Sequence, residues 1–234
     1  MDVKALTFDV FGTVVDWRGG IAREIAALGA ARGFGLDPNA FALAWRARYQ
    51  PALERVRGGA RGFVKLDLMH RENLDQVLAE FGLDHLEEAA RAALNLAWHR
   101  LDPWPDVVAG LRRLKRGYIL ATLSNGNVAL MVDMAKRAGL PWDAILGAEV
   151  VRHDKPQPEA YLKTADLLGL APADCLMVAA HRNDLEAAAA CGLRTAYVHR
   201  PTEYHDDSGE PLPAPDAFDI VANDFLELAE RLGC

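Results

Sequence analysis

Cysteine is scarce in this chain: Cys175, Cys191 and Cys234 are odd in number and far apart. That spacing builds neither a disulfide framework nor a zinc site, and a reducing cytoplasm is the expected home. Positive charge is short as well. The 26 Lys and Arg against 33 Asp and Glu leave a net charge of −7, which excludes the basic stripe of a general nucleic-acid binder. A small anionic substrate stays open, because a local arginine pocket overrides the global sign. No apolar run reaches membrane-spanning length, and the first residues show no basic region followed by an apolar segment and a cleavage site. A cytoplasmic chain with no membrane partner is therefore expected. Also missing are a glycine-rich dinucleotide fingerprint, a P-loop, a strained serine elbow and any internal repeat.

What remains is an ordinary apolar content, 51% of 234 residues, enough for one large domain or a domain carrying a substantial insertion. The stretch 4–16 reads as a strand in which Leu6, Phe8 and Val10 alternate with Ala5, Thr7 and Asp9. It ends on the Asp9 carboxylate and then turns at Gly12, a residue that lets a backbone approach a ligand closely. Residues 16–100 read as all helix. The run Ile21–Ala31 is broken by Gly33 and Gly35, and Asp37-Pro38 supplies a cap and a first-turn proline. Phe41, Trp45, Tyr49 and Val56 keep helical spacing, Gly58–Gly62 is a loop, and Leu66–Phe81 and Leu86–Trp98 are two further helices.

From Pro105 strand and helix alternate. Strands are expected at Tyr118–Leu123, within Ala144–Val151, at Cys175–Ala179, Thr195–Val198 and Ile220-Val221. Helices are expected at Val107–Lys115, Val128–Ala138, Pro158–Leu168 and Leu185–Cys191, with a last one capped by Asn223. The proline-rich segment Pro201–Pro215 reads as a surface loop. The expected fold is α/β: a Rossmann-like, doubly wound parallel sheet with an inserted all-helical domain. The core domain is discontinuous, residues 1–15 and 101–234, and the insertion is 16–100. Leaving the sheet beside Asp9, the insertion is expected to lie over the carboxyl ends of the strands and to wall off a site from water.

Open α/β sheets place their ligands at those carboxyl ends, and four of them carry polar residues: Asp9 with Thr13, Ser124-Asn125-Gly126, Asp154-Lys155-Pro156, and His181 with Asp184. A serine hydroxyl and the amides of a glycine turn can hold an anion, and a lysine is a point charge able to balance Asp9. Read singly, Ser124 and Asp184 are equally well helix caps and Lys155 a solvated charge. Their order along one parallel sheet is the informative feature.

That order resembles the haloacid dehalogenase superfamily, whose four motifs match Asp9–Thr13, Ser124-Asn125, Lys155-Pro156 and Asp184, with the insertion where that superfamily carries its cap. The resemblance covers nearly the whole chain and is strongest to the type II 2-haloacid dehalogenases. Phosphatases of the superfamily usually carry a second aspartate two positions after the nucleophile, which protonates the leaving alkoxide. This chain has Phe11 there, and a halide leaves without a proton. Trp45-Arg46, followed by Gln50, looks like the cap arginine motif of the dehalogenases, and Tyr161 matches a position near their site.

The resemblance implies a cofactor-free and metal-free enzyme that hydrolyses short 2-haloalkanoic acids to 2-hydroxy acids. Asp9 attacks the carbon bearing the halogen, with inversion, and water then attacks the resulting aspartyl ester at its carboxyl carbon. Lys155 keeps Asp9 ionised, Asp184 orients Lys155 or the water, and Thr13, Ser124 and Asn125 fix carboxylates. Phe11, Arg46, Asn125, Tyr161 and His181 line the substrate and halide site, and a homodimer is permitted. The fourth motif departs from the best-known pattern, with Ala179 and His181 where serine and asparagine are usual. His181 is then either a structural histidine or a replacement part of the halide pocket or hydrolytic step. Its presence in relatives that look able to defluorinate extends the expected substrates to fluoroacetate. A magnesium-dependent phosphatase using Asp9 and Asp184, and a binding module that only kept the fold, remain as alternatives.

Overall fold

The computed structural model of the protein describes residues 2–59, 61–204 and 211–234. Part of the Gly58–Gly62 loop (Ala60) and the middle of the proline-rich loop (residues 205–210) lie outside the described residues. The chain forms two compact units, Met1–Asp16 with Asp102–Cys234, and Trp17–Leu101.

The first unit is built on six parallel strands: β1 (Ala5–Phe8), β2 (Ile119–Ser124), β3 (Ala144–Gly147), β4 (Cys175–Ala179), β5 (Arg194–Val198) and β6 (Ile220–Ala222). They pair in the order β3-β2-β1-β4-β5-β6, so the winding reverses between β1 and β4, the crevice where such sheets bind ligands. The strands are apolar on both faces because both are covered. On one face Phe8 stacks on Phe225 and tilts against Trp142, with ring centroids 5.7 and 5.2 Å apart. On the other, Ala5, Cys175, Met177, Ala179 and Tyr197 pack with Tyr161 and Ala165 of the helix Pro158–Leu167 and Leu185 and Ala188 of the helix Arg182–Ala190.

The regular elements among the described residues of the second unit are all helical: Trp17–Arg32, Pro38–Ala47, Tyr49–Arg57, Leu66–Glu80, Glu88–Asn95 and a tighter turn Leu96–Arg100. Asp37 caps as expected, accepting from the amides of Asn39 and Ala40 at 2.9 and 3.2 Å. The spacing Phe41–Val56 is not one helix. The helix is interrupted at Arg48, and Leu53, not Val56, joins Phe41, Trp45 and Tyr49 in the core. At the far end of the chain Asp224, not Asn223, is the cap: its carboxylate accepts from the Glu227 amide at 2.8 Å, whereas Asn223 donates its side-chain amide to Glu227.

One glycine sets the end of β3. Gly147 has φ +137°, and a Cβ there would overlap the Ser124 carbonyl oxygen across the β2–β3 pair. Backbone cannot give way as a flexible side chain does. Gly147→Ala is therefore expected to lose about 2 kcal/mol or more of stability, read as a lower urea midpoint. An unchanged midpoint would show that the two strand ends can separate at no cost.

Candidate active site

Each strand end delivers a side chain to the same edge. Asp9 follows β1, and its amide donates to the Val178 carbonyl at 3.0 Å, which continues the sheet pairing and fixes where its carboxylate emerges. The chain then turns at Gly12, with φ +87°. The turn is closed by the Gly12 amide on the Val15 carbonyl at 3.0 Å and by the Trp104 indole donating to the Gly12 carbonyl at 2.8 Å. It brings Thr13 back over Asp9, where its hydroxyl donates to Asp9 Oδ2 at 2.7 Å and accepts from the Ala180 amide at 2.9 Å.

Lys155 Nζ donates to Asp9 Oδ1 at 3.0 Å and also to Asp184 Oδ2. The Tyr161 hydroxyl donates to Asp184 Oδ1 at 2.6 Å. Asn125 reaches the backbone of Lys155. Its Oδ1 accepts from the Lys155 amide at 2.7 Å and its Nδ2 donates to the Lys155 carbonyl at 3.4 Å, so it clamps the lysine's backbone. Ser124 is buried, and its Oγ accepts from the Gly126 amide at 3.2 Å, shaping the turn after β2. Phe11 is buried nearby, with its ring edge beside Gly126.

His181 stands between two carboxylates. Its Nδ1 lies 3.2 Å from Asp9 Oδ2, and its Nε2 lies 3.1 and 3.0 Å from the two oxygens of Glu203. Glu203 was not among the sequence expectations, because the segment that carries it reads as a surface loop. Its carboxylate is in fact buried. The available signal was its place: it follows β5, a fifth strand end on the same sheet edge. Arg200, also unanticipated, anchors this segment by donating to the Thr13 carbonyl at 3.0 Å and gripping both oxygens of Asp106 at 2.9 and 2.8 Å.

Three buried carboxylates thus face two cations. Burial alone would raise the pKa of Asp9, but the Lys155 charge, the His181 contact and the Thr13 hydroxyl together bring it well below the usual carboxylate range. Burial would lower that of Lys155, and the Asp184 and Asp9 carboxylates more than reverse this, so it stays an ammonium. Burial and the neighbouring Asp9 raise Asp184 against the opposing pull of Lys155. His181 is pulled well above its ordinary value despite burial, first by the Glu203 charge and then by Asp9.

Arg46 belongs to the helical unit. Its guanidinium lies over the Tyr49 ring at 4.3 Å and near the Trp17 ring at 5.6 Å, and its buried Nε has no hydrogen-bond partner. The magnesium of the phosphatase alternative does not fit the donors. Asp9 and Asp184 are both engaged by Lys155, the Phe11 side chain offers no oxygen, and among the described residues no group of three or more His, Cys, Asp or Glu is placed to hold a metal. No helix of the described residues is long and apolar enough to cross a membrane.

Three comparisons bear on this site. The family model of haloacid dehalogenase-like hydrolases matches residues 3–192. A solved structure described as the defluorinating L-2-haloacid dehalogenase Rha0230 is 49% identical, covering 99% of this chain and 96% of its own, with a TM-score of 0.96. Among curated proteins, (S)-2-haloacid dehalogenase 4A of Burkholderia cepacia is 29% identical over 86% of this chain and 87% of its own length. Hexitol phosphatase A of Escherichia coli is 31% identical over 87% and 86%.

The depressed Asp9 pKa has a consequence for stability. A carboxylate held low in the folded state stabilises the fold above its unfolded pKa, about 3.9, and loses that contribution as pH falls through the folded value. The wild type is therefore expected to exceed Asp9→Asn in urea stability at pH 6 by on the order of 2 kcal/mol, with the gap narrowing below pH 4. A gap that is constant from pH 6 to pH 3 would contradict an ionised, stabilising Asp9.

Proposed function

The chain belongs to the haloacid dehalogenase-like hydrolases, and on that premise we propose that it hydrolyses the carbon–halogen bond of short 2-haloalkanoic acids. The observation that carries this reading is the surroundings of Asp9. The carboxylate is buried, held ionised by Lys155, Thr13 and His181, and followed two positions later by Phe11, which has no proton to offer a leaving alkoxide. A halide needs none. The similarity to haloacid dehalogenases supports the same reaction. The similarity to a hexitol phosphatase keeps phosphate esters as the rival, and Phe11 with the donor set around Asp9 weighs against it.

The mechanism runs in two halves. Oδ2 of Asp9 is tied by two protein donors, which leaves Oδ1, beside the flexible ammonium of Lys155, as the attacking atom. Its lone pair forms the C–O bond at the carbon bearing the halogen while that bond's electrons leave with the halide, so this carbon inverts. The ester then has Oδ2 as its carbonyl oxygen. Water adds to Cγ, giving one proton to the Asp184–Lys155 pair, whose carboxylate is the raised one. Collapse breaks the Cγ–Oδ1 bond, the proton on Asp184 passes to the departing hydroxy acid, and Asp9, now with a water oxygen in place of Oδ1, releases the second water proton to solvent and is again a carboxylate.

The substrate brings its own carboxylate to a site whose two cations are already outnumbered by acids. A further cation is needed, and Arg46, with its unpartnered Nε, is our candidate to supply it. Tyr161 acts through Asp184 and Asn125 through Lys155, as positioning residues. Fluoroacetate falls within the proposed range; the support is the 49% identity to a structure described as defluorinating.

Halide release from chloroacetate, 2-chloropropionate and fluoroacetate, run beside p-nitrophenyl phosphate with and without magnesium, tests the reading. Chloride release that Asp9→Asn lowers by about 10,000-fold or more is expected, with Arg46→Met raising KM. Magnesium-dependent phosphate release without any halide release would overturn it. Chloride without fluoride would remove only fluoroacetate from the range.

A further inference from the structure

Glu203 has no part in the reaction as drawn so far, yet its carboxylate is buried at the reacting centre, with both oxygens on one imidazole nitrogen. Space for it has been made: a Cβ on Gly12 would overlap its carboxylate. Its own segment is pinned to the site. The Glu203 amide donates to the Arg200 carbonyl at 3.2 Å, and Arg200 donates to the Thr13 carbonyl. The ring it holds presents its other nitrogen to Asp9 Oδ2, the oxygen that also receives the Thr13 hydroxyl.

We infer that Glu203 and His181 work as a pair in the second half of the reaction, Glu203 holding the ring so that its Nδ1–H supports the charge that builds on Asp9 Oδ2 when water adds to the ester. The inference rests on the proposed reaction and assigns to it a catalytic group, His181, and a positioning residue, Glu203. Electrons balance simply. As water adds to Cγ, the carbonyl pair moves onto Oδ2, where two donors, His181 Nδ1–H and Thr13 Oγ–H, receive it as an oxyanion hole does. On collapse the pair returns to the carbonyl and neither donor loses its proton.

The reason for a second carboxylate lies in what alkylation does to the first. In the free enzyme two acids face the ring, Asp9 from the end of β1 and Glu203 from beyond β5, while Lys155 and Asp184 lie on the far side of Asp9. Once Asp9 is an ester it carries no charge. Glu203 is then the anion that keeps a proton on both ring nitrogens, at the step where that proton is needed. Without Glu203 no carboxylate would face the ring once Asp9 is an ester, and the ring would enter the water-addition step without its charge.

Rapid-quench kinetics with chloroacetate separate the halves, because chloride marks formation of the ester and glycolate marks its breakdown. In Glu203→Gln, which keeps the shape, a burst of chloride is expected, followed by glycolate formation slowed at least about 30-fold, with the carboxymethyl ester on Asp9 seen by intact mass. The burst counts only folded sites, so partial misfolding lowers its amplitude and not the breakdown rate. His181→Gln should accumulate the same ester. The alkaline limb of ester breakdown should move to lower pH in Glu203→Gln, and Glu203→Asp should recover part of the rate. Ester breakdown at the wild-type rate in Glu203→Gln, or a slowed burst with normal breakdown, overturns the inference. So does a pH profile identical to wild type, or a His181→Gln variant that forms no ester. Absence of chloride release from the wild type would instead overturn the reaction itself.

Discussion

Lys155 is bonded to two carboxylates, Asp9 and Asp184, and all three side chains are about nine-tenths buried. Taking such charges from water is costly, and removing one member of a buried pair typically costs about 3–5 kcal/mol because the other is left uncompensated. The rest of the site answers to this constraint. Tyr161 satisfies the second oxygen of Asp184, Thr13 and His181 satisfy the second oxygen of Asp9, and Asn125 fixes the backbone from which Lys155 reaches in. The ionised Asp9 that nucleophilic chemistry needs is thus the form that the packing itself demands.

A doubly wound sheet makes the arrangement feasible. The five strand ends that furnish the site are parallel neighbours, so residues more than a hundred positions apart in the chain emerge within hydrogen-bond reach. The turn after β1 is the tightest point. Gly12 provides its positive φ and, by lacking a side chain, the room for Glu203, while Trp104 and Arg200 hold its carbonyls from outside. A third carboxylate could enter a crowded acidic site only because His181 stands between it and Asp9.

Much of this is legible in the amino-acid sequence. Alternating strands and helices gave the parallel sheet, and the order of Asp9, Ser124, Lys155 and Asp184 placed four side chains on one edge. The places where the reading failed share a cause. Helical spacing from Phe41 to Val56 ran through the helix break at Arg48, since periodicity registers a repeating face and not an interruption of the backbone bonding. Asn223 and Asp224 are both competent caps, and which one turns inward depends on the backbone between them. Glu203 was hidden by composition. A segment rich in proline and acid reads as solvent-facing, and only its pairing with His181, itself ambiguous in sequence, shows why a carboxylate there is buried. The bonds that Asn125 and Tyr161 make inside the protein were hidden for a similar reason: side-chain amides and hydroxyls announce that they bond, not to what.

The account turns on Asp9 attacking carbon and being regenerated by water at its own carboxyl group. One turnover of excess enzyme with chloroacetate in heavy-oxygen water, followed by digestion and mass measurement of the peptide containing Asp9, tests this directly. The account predicts one heavy oxygen in that peptide and none in the hydroxyl of the glycolate. Glycolate carrying the heavy oxygen beside an unlabelled peptide would contradict it, since water would then have attacked the substrate itself.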